Sequence, residues 1–467
     1  MKRKGILLLN PPGKELYIRD YYCSKVSQAD YIGQPVDFLF LSGRLAQKYP
    51  VKLLDAIVQG LSTEDCLKAI LNMEIDTIIF LTGSVSWDTD RKFISKLREE
   101  KPLTLIGIGD IFLENGVEKL EKYNFIDAVL LDFSTDDILR YLDGDYEKLQ
   151  NMIFRKDGKI ISAPCIRQRK VEFELPMPRH EMFRGYNYRH PFVQKYPFAS
   201  ILTDFGCLYR CSFCVMGVLG FKYRSVESVM EEIRYVYSLG IREIFFVDQS
   251  FGAIKSRNQE MCELIIKNNL RLSWFCFSRV DLVDEDFLKL MKRAGCHTII
   301  FGVETASEEM LNKYNKCYTK EQVKEAFRLC RKLDIKTAAT FIFGLPEETK
   351  QTFHQTIEFA MEIGCDYASF NMAVPRMGTE LRTMVLEAGL IDSNFDCFDQ
   401  SGSEIAMPTI HLSRDEVCNL KKKGIRKFYF RPSYIWCRIR KIKSFFQFKN
   451  QLLEGWALFR RNFFKRI

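Results

Sequence analysis

The chain is predicted to be α/β: a doubly wound, Rossmann-like N-terminal domain, then a partial (β/α)6 barrel, then a helical, basic C-terminal region. Three observations lead there. Short continuous apolar runs alternate with amphipathic stretches through the first 145 residues, and the same alternation resumes at Phe198 for six more rounds. Strands that are apolar throughout and separated by helices imply a parallel sheet covered on both faces. At 467 residues and 47% hydrophobic content, the chain can also supply more than one core.

In the first region (1–145), strands are expected at 5–10, 51–56, 77–82, 103–108 and 127–131, with helices at 38–49, 63–72 and 90–100. The opening Met1-Lys-Arg-Lys has the charge of a signal peptide, but Asn10-Pro11-Pro12-Gly13 interrupts its apolar run. A buried first strand ending in a turn is expected instead. Residues 146–195 break the rhythm. A hairpin-like turn at Arg155-Lys-Asp-Gly158 and prolines at 164, 176, 178 and 191 predict a linker.

The second region (196–380) should place strands at 199–203, 243–247, 272–277, 298–303, 337–343 and 367–374. Its helices are well marked: Val226, Val229, Ile233 and Val236 share one face, and Gly240 follows as a stop. Residues 284–294 and 320–333 behave alike. Residues 381–467 turn helical and irregular. In such barrels the chemistry gathers at the C-terminal ends of the strands.

Fifteen cysteines, an odd number without framework spacing, point to a reducing compartment and a cytoplasmic protein. No run of about 18 uncharged apolar residues occurs, so no membrane span is expected. The net charge of +9 is unevenly distributed. Residues 421–467 carry 15 Lys and Arg against the single acid Glu454, whereas the remainder is mildly acidic.

Cys207, Cys211 and Cys214 fall just after the first barrel strand, in Gly206-Cys-Leu-Tyr-Arg-Cys-Ser-Phe-Cys214. Structural zinc needs four ligands, usually in two pairs, and no second pair has that spacing. Isolated buried cysteines are common and inert, which suits Cys296 and Cys330. A four-iron cluster normally takes four cysteines, so three would leave one iron open to a small molecule. The Cys-x-x-x-Cys-x-x-Cys spacing, with Phe213 before the third Cys, resembles the cluster loop of the radical S-adenosylmethionine (SAM) superfamily. That resemblance implies a [4Fe-4S] cluster whose open iron is chelated by SAM. One electron would then cleave SAM to methionine and a 5′-deoxyadenosyl radical.

The expected strand ends carry further chemistry: Asp248, Arg279, Glu304, Gly344 and Glu347, with Gly302 and Gly378 allowing close backbone approach. Acids after strands are often helix caps; several at successive strand ends weigh more. Thr340-x-Ile342-x-Gly344-x-x-Glu347 resembles the family's fifth-strand motif, with Thr340 where its first Gly stands. The resemblance implies that Phe213, Asp248, Arg279, Glu304, Gly344 and Glu347 help bind SAM. It assigns no catalytic residue toward the substrate.

The N-terminal domain resembles the cobalamin-binding domain that precedes the barrel in one large subgroup. The Asp-x-His-x-x-Gly pattern of that domain falls on Asp55-Ala-Ile57-Val-Gln-Gly60, with Ile57 replacing the His. The Ser-x-Leu stretch corresponds to Ser84-Val-Ser86, the Gly-Gly pair to Gly107-Ile-Gly109-Asp110, and the later Gly-Glu pair to Asp132-Phe133. Cobalamin is implied, held without a protein ligand to cobalt, since Ile57 cannot ligate. The alternative is a vestigial domain that shapes the substrate site.

In the tail, Ile435, Ile439, Ile442 and Phe446 share one helical face, and Leu452, Trp456, Phe459 and Phe463 another, near Arg460, Arg461, Lys465 and Arg466. Such a helix reads as a peripheral membrane element, a cover for an anionic substrate, or a solvated closing helix. No nucleic-acid module is recognisable, and the five histidines form no cluster.

The expected function is radical SAM chemistry, with cobalamin-dependent methylation of an unactivated carbon. Its alternatives are cobalamin-free cyclisation, rearrangement or oxidation, and a noncatalytic redox or sensor protein. A flavodoxin- or ferredoxin-type electron donor and a small-molecule or lipid- or glycan-linked substrate are the expected partners.

Overall fold

A computed structural model describes residues 5–21, 24–25, 31–393, 395, 398–401, 407–440, 442 and 445–463. It divides into two compact units. The first is built on Ile32–Tyr188 with the first strand and Gly220–Ser225, and the second on Arg189–Leu219 and the chain from Val226 onward.

In the first unit, β1 (Ile6–Asn10), β2 (Val51–Asp55), β3 (Thr77–Leu81), β4 (Thr104–Ile108) and β5 (Ala128–Leu130) pair in parallel in the order β2-β1-β3-β4-β5. The central strand shows why continuous apolar runs were the signal: Ile6, Leu7, Leu8 and Leu9 are all fully buried, because helices cover both faces. The strand order reverses between β1 and β3. Ligands of doubly wound sheets sit beyond the carboxyl ends at such a switch point.

Part of the stretch expected as a linker is sheet. β6 (Met152–Lys156) adds antiparallel to β5 and β7 (Lys159–Ser162) antiparallel to β6, making seven strands. Asp157 (φ 49°) and Gly158 (φ 76°) form the two-residue hairpin turn that joins them. The physical reason is edge protection. Met152, Ile153 and Phe154 are buried and cover β5, whose edge would otherwise present unpaired backbone groups. The later prolines then carry the irregular segment.

The second unit is a six-stranded parallel sheet in strictly sequential order: β8 (Phe198–Ile201), β9 (Glu243–Phe246), β10 (Ser273–Ser278), β11 (Cys296–Glu304), β12 (Lys336–Phe343) and β13 (Tyr367–Met372). Sequential order with a helix after each strand is the arrangement of an open βα barrel. The helices are α1 (Val226–Ser238), α2 (Lys255–Lys267), α3 (Glu285–Arg293), α4 (Lys320–Lys332) and α5 (Lys350–Glu362). Their starts are encoded locally. Asp284 caps α3, and Thr319 with Gln322 forms a capping box on α4. Gly240, at φ 82°, follows α1 as expected.

Alternate residues of the barrel strands (Ala199, Ile201, Ile244, Phe246, Trp274, Cys276) join the helices in one large apolar core. The other set faces inward, where Phe245 and Phe275 stack at 4.4 Å and His190 packs on both rings. His190 is thus an aromatic-core residue near the strand starts. His297 is equally structural, bonded to Glu243 Oε1 at 3.0 Å and to Thr298 Oγ1 at 2.8 Å. Beyond the barrel run α6 (Arg414–Tyr429), α7 (Pro432–Arg440) and α8 (Phe445–Phe463). Of the expected tail residues, the Phe446, Arg461 and Phe463 side chains and residues 465–466 lie outside the described positions.

Candidate active site

The three thiols sit on a loop that other elements hold in place. After β8 the chain forms a short strand, Asp204–Gly206, and Gly206 at φ 80° turns it into Cys207. The Cys214 amide donates to the Cys211 carbonyl at 2.9 Å, closing a turn within the triplet. Ser212 anchors the loop at three points. Its amide donates to the Tyr314 carbonyl at 3.2 Å, its carbonyl accepts from the Leu381 amide at 2.9 Å, and its hydroxyl donates to Glu380 Oε2 at 2.7 Å. The following turn tucks beneath the loop because residue 217 is Gly; a Cβ there would lie 2.6 Å from the Tyr209 carbonyl oxygen.

All three thiols are half-buried. Burial pushes Cys207 up to about 11 and also raises Cys211, where nearby Lys316 and Arg279 oppose the shift. Among the described residues, no three His, Cys, Asp or Glu side chains are grouped to hold one metal ion. A cluster differs in needing one thiolate for each of several irons, which a triplet spread along one loop can supply.

The strand-end residues divide into two groups. Glu304, Arg279 and Phe213 lie at the cysteine loop. Glu304 ends β11 at φ 63°, a left-handed conformation costing a non-glycine residue on the order of 1–3 kcal/mol and concentrated at functional sites. Its Oε1 pairs with buried Lys316 Nζ at 2.8 Å. A Cβ at Gly302 would lie 2.5 Å from that same Oε1, so a larger residue there must displace the Glu304 carboxylate. The Arg279 guanidinium clamps Asp281 through both oxygens (3.0 and 2.9 Å) and donates to the Lys316 carbonyl at 2.7 Å. It also stacks 3.8 Å from the Tyr209 ring centroid and points Nη1 at Cys211 Sγ, 3.9 Å away. Phe213 packs against Tyr314 (6.2 Å between centroids), with Lys316 Nζ 5.9 Å from its ring.

Asp248, Gly344 and Glu347 form the second group, each held by the protein. Asp248 is fully buried and accepts from the Thr203 amide (2.5 Å), the Thr203 hydroxyl (2.6 Å) and the Asp204 amide (3.1 Å), so it fixes the approach to the cysteine loop. Glu347 pairs with Lys313 at 2.5 Å and accepts from the Tyr314 hydroxyl at 2.6 Å. Gly344, at φ 84°, donates its amide to Glu348 Oε2 at 2.5 Å.

Three residues escaped the sequence reading. Lys316 follows no motif and reaches Glu304 only through the fold. Asp204 is buried with no hydrogen-bond partner on either carboxylate oxygen among the described residues, and burial beside Asp248 holds its carboxyl well above the ordinary range. Glu348, not Glu347, is the fully buried acid after β12. Burial pushes it up to about 8, and its Oε1 has no hydrogen-bond partner among the described residues. Buried carboxyl oxygens without partners are costly, and these two acids follow the first and fifth barrel strands.

At the strand ends of the first unit the polar groups satisfy one another. Buried Arg19 grips Asp90 (Nη2 to Oδ1 2.6 Å, Nε to Oδ2 3.0 Å) and donates to Asn10 Oδ1 at 2.9 Å. Asn10 donates to Asp55, which also accepts from the Tyr188 hydroxyl. Asp110 accepts from the Ser84 amide and hydroxyl, and Asp132 pairs with Lys222 at 2.7 Å. Ile57 is buried in a small apolar cluster with Tyr17 and Ile32, flanked by Leu16, Val58 and Val85. Gly109 is required by the protein itself, for a Cβ would lie 2.0 Å from the Thr82 carbonyl oxygen.

Comparison with known proteins bears directly on these two units. Residues 202–360, running from just after β8 through the cysteine loop and strands β9 to β12, match the Radical SAM superfamily. Over 447 residues the chain is 27% identical to an uncharacterized methyltransferase of Pyrococcus horikoshii, covering 93% of this chain and 94% of that one. It is 31% identical over 248 residues to the anaerobic magnesium-protoporphyrin IX monomethyl ester cyclase of Cereibacter sphaeroides, which is 50% of this chain and 39% of the relative. Its fold matches the radical SAM methyltransferase TsrM of Kitasatospora setae, solved with cobalamin and a [4Fe-4S] cluster bound (TM-score 0.70, 16% identity, 97% of this chain and 99% of that one). It also matches the cobalamin-dependent radical enzyme OxsB, solved with aqua-cobalamin and SAM (TM-score 0.67, 17% identity, 98% and 71%). With the cysteine triplet in place after the first barrel strand and this match over residues 202–360, the chain carries a radical SAM domain and is an enzyme of that kind.

Proposed function

We propose that the protein is a cobalamin-dependent radical SAM methyltransferase acting on an unactivated carbon. The observation that carries this reading is the pairing of two features: a thiol triplet backed by Arg279 and the Glu304–Lys316 pair, and a separate doubly wound unit whose ligand-side residue 57 is apolar. When bound, the cluster and SAM supply a one-electron cleavage yielding a 5′-deoxyadenosyl radical, and a corrinoid supplies the methyl group. Cys207, Cys211 and Cys214 would hold the cluster. Glu304 and Lys316 offer opposite charges to the amino and carboxylate ends of SAM. Phe213 and the backbone at Gly344 would border the adenine. Asp248 and Glu347, with their oxygens already engaged, act as positioning residues. The apolar cluster around buried Ile57 offers a corrin face apolar side chains and no protein ligand to cobalt.

The test uses anaerobically reconstituted protein, a strong reductant, SAM and hydroxocobalamin. The proposal expects 5′-deoxyadenosine in the products and about one cobalt per chain after desalting. Absence of 5′-deoxyadenosine would defeat the radical reading. Iron without cobalt would favour a second reading, cobalamin-free cyclisation, rearrangement or oxidation. That reading draws on Gly109, whose missing side chain is already accounted for by the Thr82 carbonyl.

A further inference from the structure

We infer that the C-terminal helices α7 and α8 form a docking surface for an anionic phospholipid membrane, lying on it without crossing it. Of the sixteen large apolar side chains exposed among the described residues, seven fall within Ile435–Trp456. On α7, Ile435, Trp436 and Ile439 face outward, and on α8 Leu452, Leu453 and Trp456 do. The chain has four tryptophans. Trp87 and Trp274 are core residues, whereas Trp436 and Trp456 are 57% and 61% exposed. A soluble fold gains nothing by turning two indoles outward on adjacent helices, but indole rings are favoured where an apolar surface meets water.

The opposite faces of these helices are already occupied. Ala457 is buried, and Leu458 packs on the barrel core. Tyr434 donates to the Asp366 carbonyl at 2.9 Å, and Arg438 donates to the Tyr367 hydroxyl at 2.6 Å. The tail's single acid, Glu454, is within electrostatic reach of Arg438 and Lys336, so it offsets charge at the barrel and not on the outer face. Lys449 and Arg460 are exposed on the outer side of α8, and the Arg440 guanidinium stacks 4.6 Å from the Trp436 ring. Outward aromatic and leucine side chains ringed by bases are the pattern of an interfacial helix on anionic lipid. No described helix is long and apolar enough to cross a membrane.

Charge and position decide against other occupants. A second copy would bring two tails together, each with 15 bases and one acid. An acidic electron donor would belong near the cysteine loop. These helices contact residues 366 and 367, where β13 begins, and the loop follows the carboxyl end of β8. A strand the length of β12 spans roughly 25 Å at about 3.3 Å per residue.

The test is flotation of the full chain with vesicles of phosphatidylcholine alone or with 30% phosphatidylglycerol, following tryptophan emission. The proposal expects flotation and a blue shift only with the anionic vesicles. Leu452→Asp with Trp456→Asp should lower binding at least tenfold while SAM cleavage persists. Lys449→Glu with Arg460→Glu, which leaves the apolar face intact, should weaken it severalfold. Three results would overturn the proposal. One is no flotation with either vesicle. Another is a dimer that dissociates on Trp456→Asp, placing a second copy on this face. The third is binding to a polyanion such as heparin that matches vesicle binding and ignores the Leu452→Asp and Trp456→Asp changes.

Discussion

The two sheets of this protein treat the same location, the carboxyl ends of parallel strands, in opposite ways. At the ends of the first sheet, Arg19, Asp90, Asn10 and Asp55 are buried and bonded to each other. At the ends of the barrel strands, three thiols stand on one loop, Glu304 holds a left-handed backbone, and the carboxyls of Asp204 and Glu348 have oxygens with no hydrogen-bond partner among the described residues. Satisfied networks rigidify, and unsatisfied ones store cost that a ligand can relieve. The comparison teaches where ligand-directed polarity resides: in the barrel it lies at the cysteine loop and the strand ends, whereas in the N-terminal unit these polar groups bond one another.

The largest effect that would break this contrast concerns the thiols. Cys211→Ala should lower bound iron after reconstitution and reduce 5′-deoxyadenosine to background, while the melting temperature of the protein without iron stays near that of the parent. Activity surviving in that variant would remove the cluster from this loop. On the other sheet, Arg19→Ala strands the buried Asp90 carboxylate. Breaking a fully buried pair costs about 3–5 kcal/mol, so urea unfolding should show a loss of that order. A change below about 1 kcal/mol would mean the network is not structural.

A smaller effect tests the strained end of β11. Gly302→Ala places a methyl against Glu304 Oε1, so the carboxylate must shift from its place against Lys316. SAM affinity, read by isothermal titration, should fall by about tenfold or more, with iron content unchanged. Equal affinity would detach the Glu304–Lys316 pair from SAM.

The smallest effect is a pH dependence. The folded Glu348 carboxyl is pushed up to about 8 by burial, against roughly 4.3 in an unfolded chain. Between those values the folded protein holds a proton that the unfolded chain has released. Stability from this group is therefore present at low pH and declines as pH rises toward 8, by at most about 1.4 kcal/mol per pH unit. Glu348→Gln should flatten that part of the profile when urea midpoints are compared at pH 5.5 and 7.5. An unchanged slope would show that Glu348 is not the group responsible.

Much of this was legible in the chain itself. Continuous apolar runs announced parallel strands because covered sheets bury both faces, and the expected strands lie within a few residues of those observed. The cysteine triplet was legible because its ligands are contiguous, so spacing alone carries the geometry. The hairpin turn at Asp157-Gly158 was visible too, but not the role of its strands, since an open edge at β5 exists only once the sheet is assembled. Lys316 could not be found beforehand. It lies in a loop beyond a short helix and meets Glu304 only when β11 and that loop fold back together. Between Glu347 and Glu348, adjacent in sequence, the turn after β12 decides which is buried and which meets Lys313.

What the sequence determined by itself was therefore everything that depends on near neighbours: strand and helix periodicity, capping residues, the thiol spacing, and the basic, aromatic character of the tail. The tertiary structure decided which polar groups find partners. Arg19 is satisfied by Asp90, 71 residues away, while the Asp204 carboxyl has no hydrogen-bond partner among the described residues. It also decided which face of α8 turns outward, with Trp456 exposed and Ala457 buried. Burial and pairing are relations between distant segments, and a linear pattern of residues specifies them only through the packing it produces.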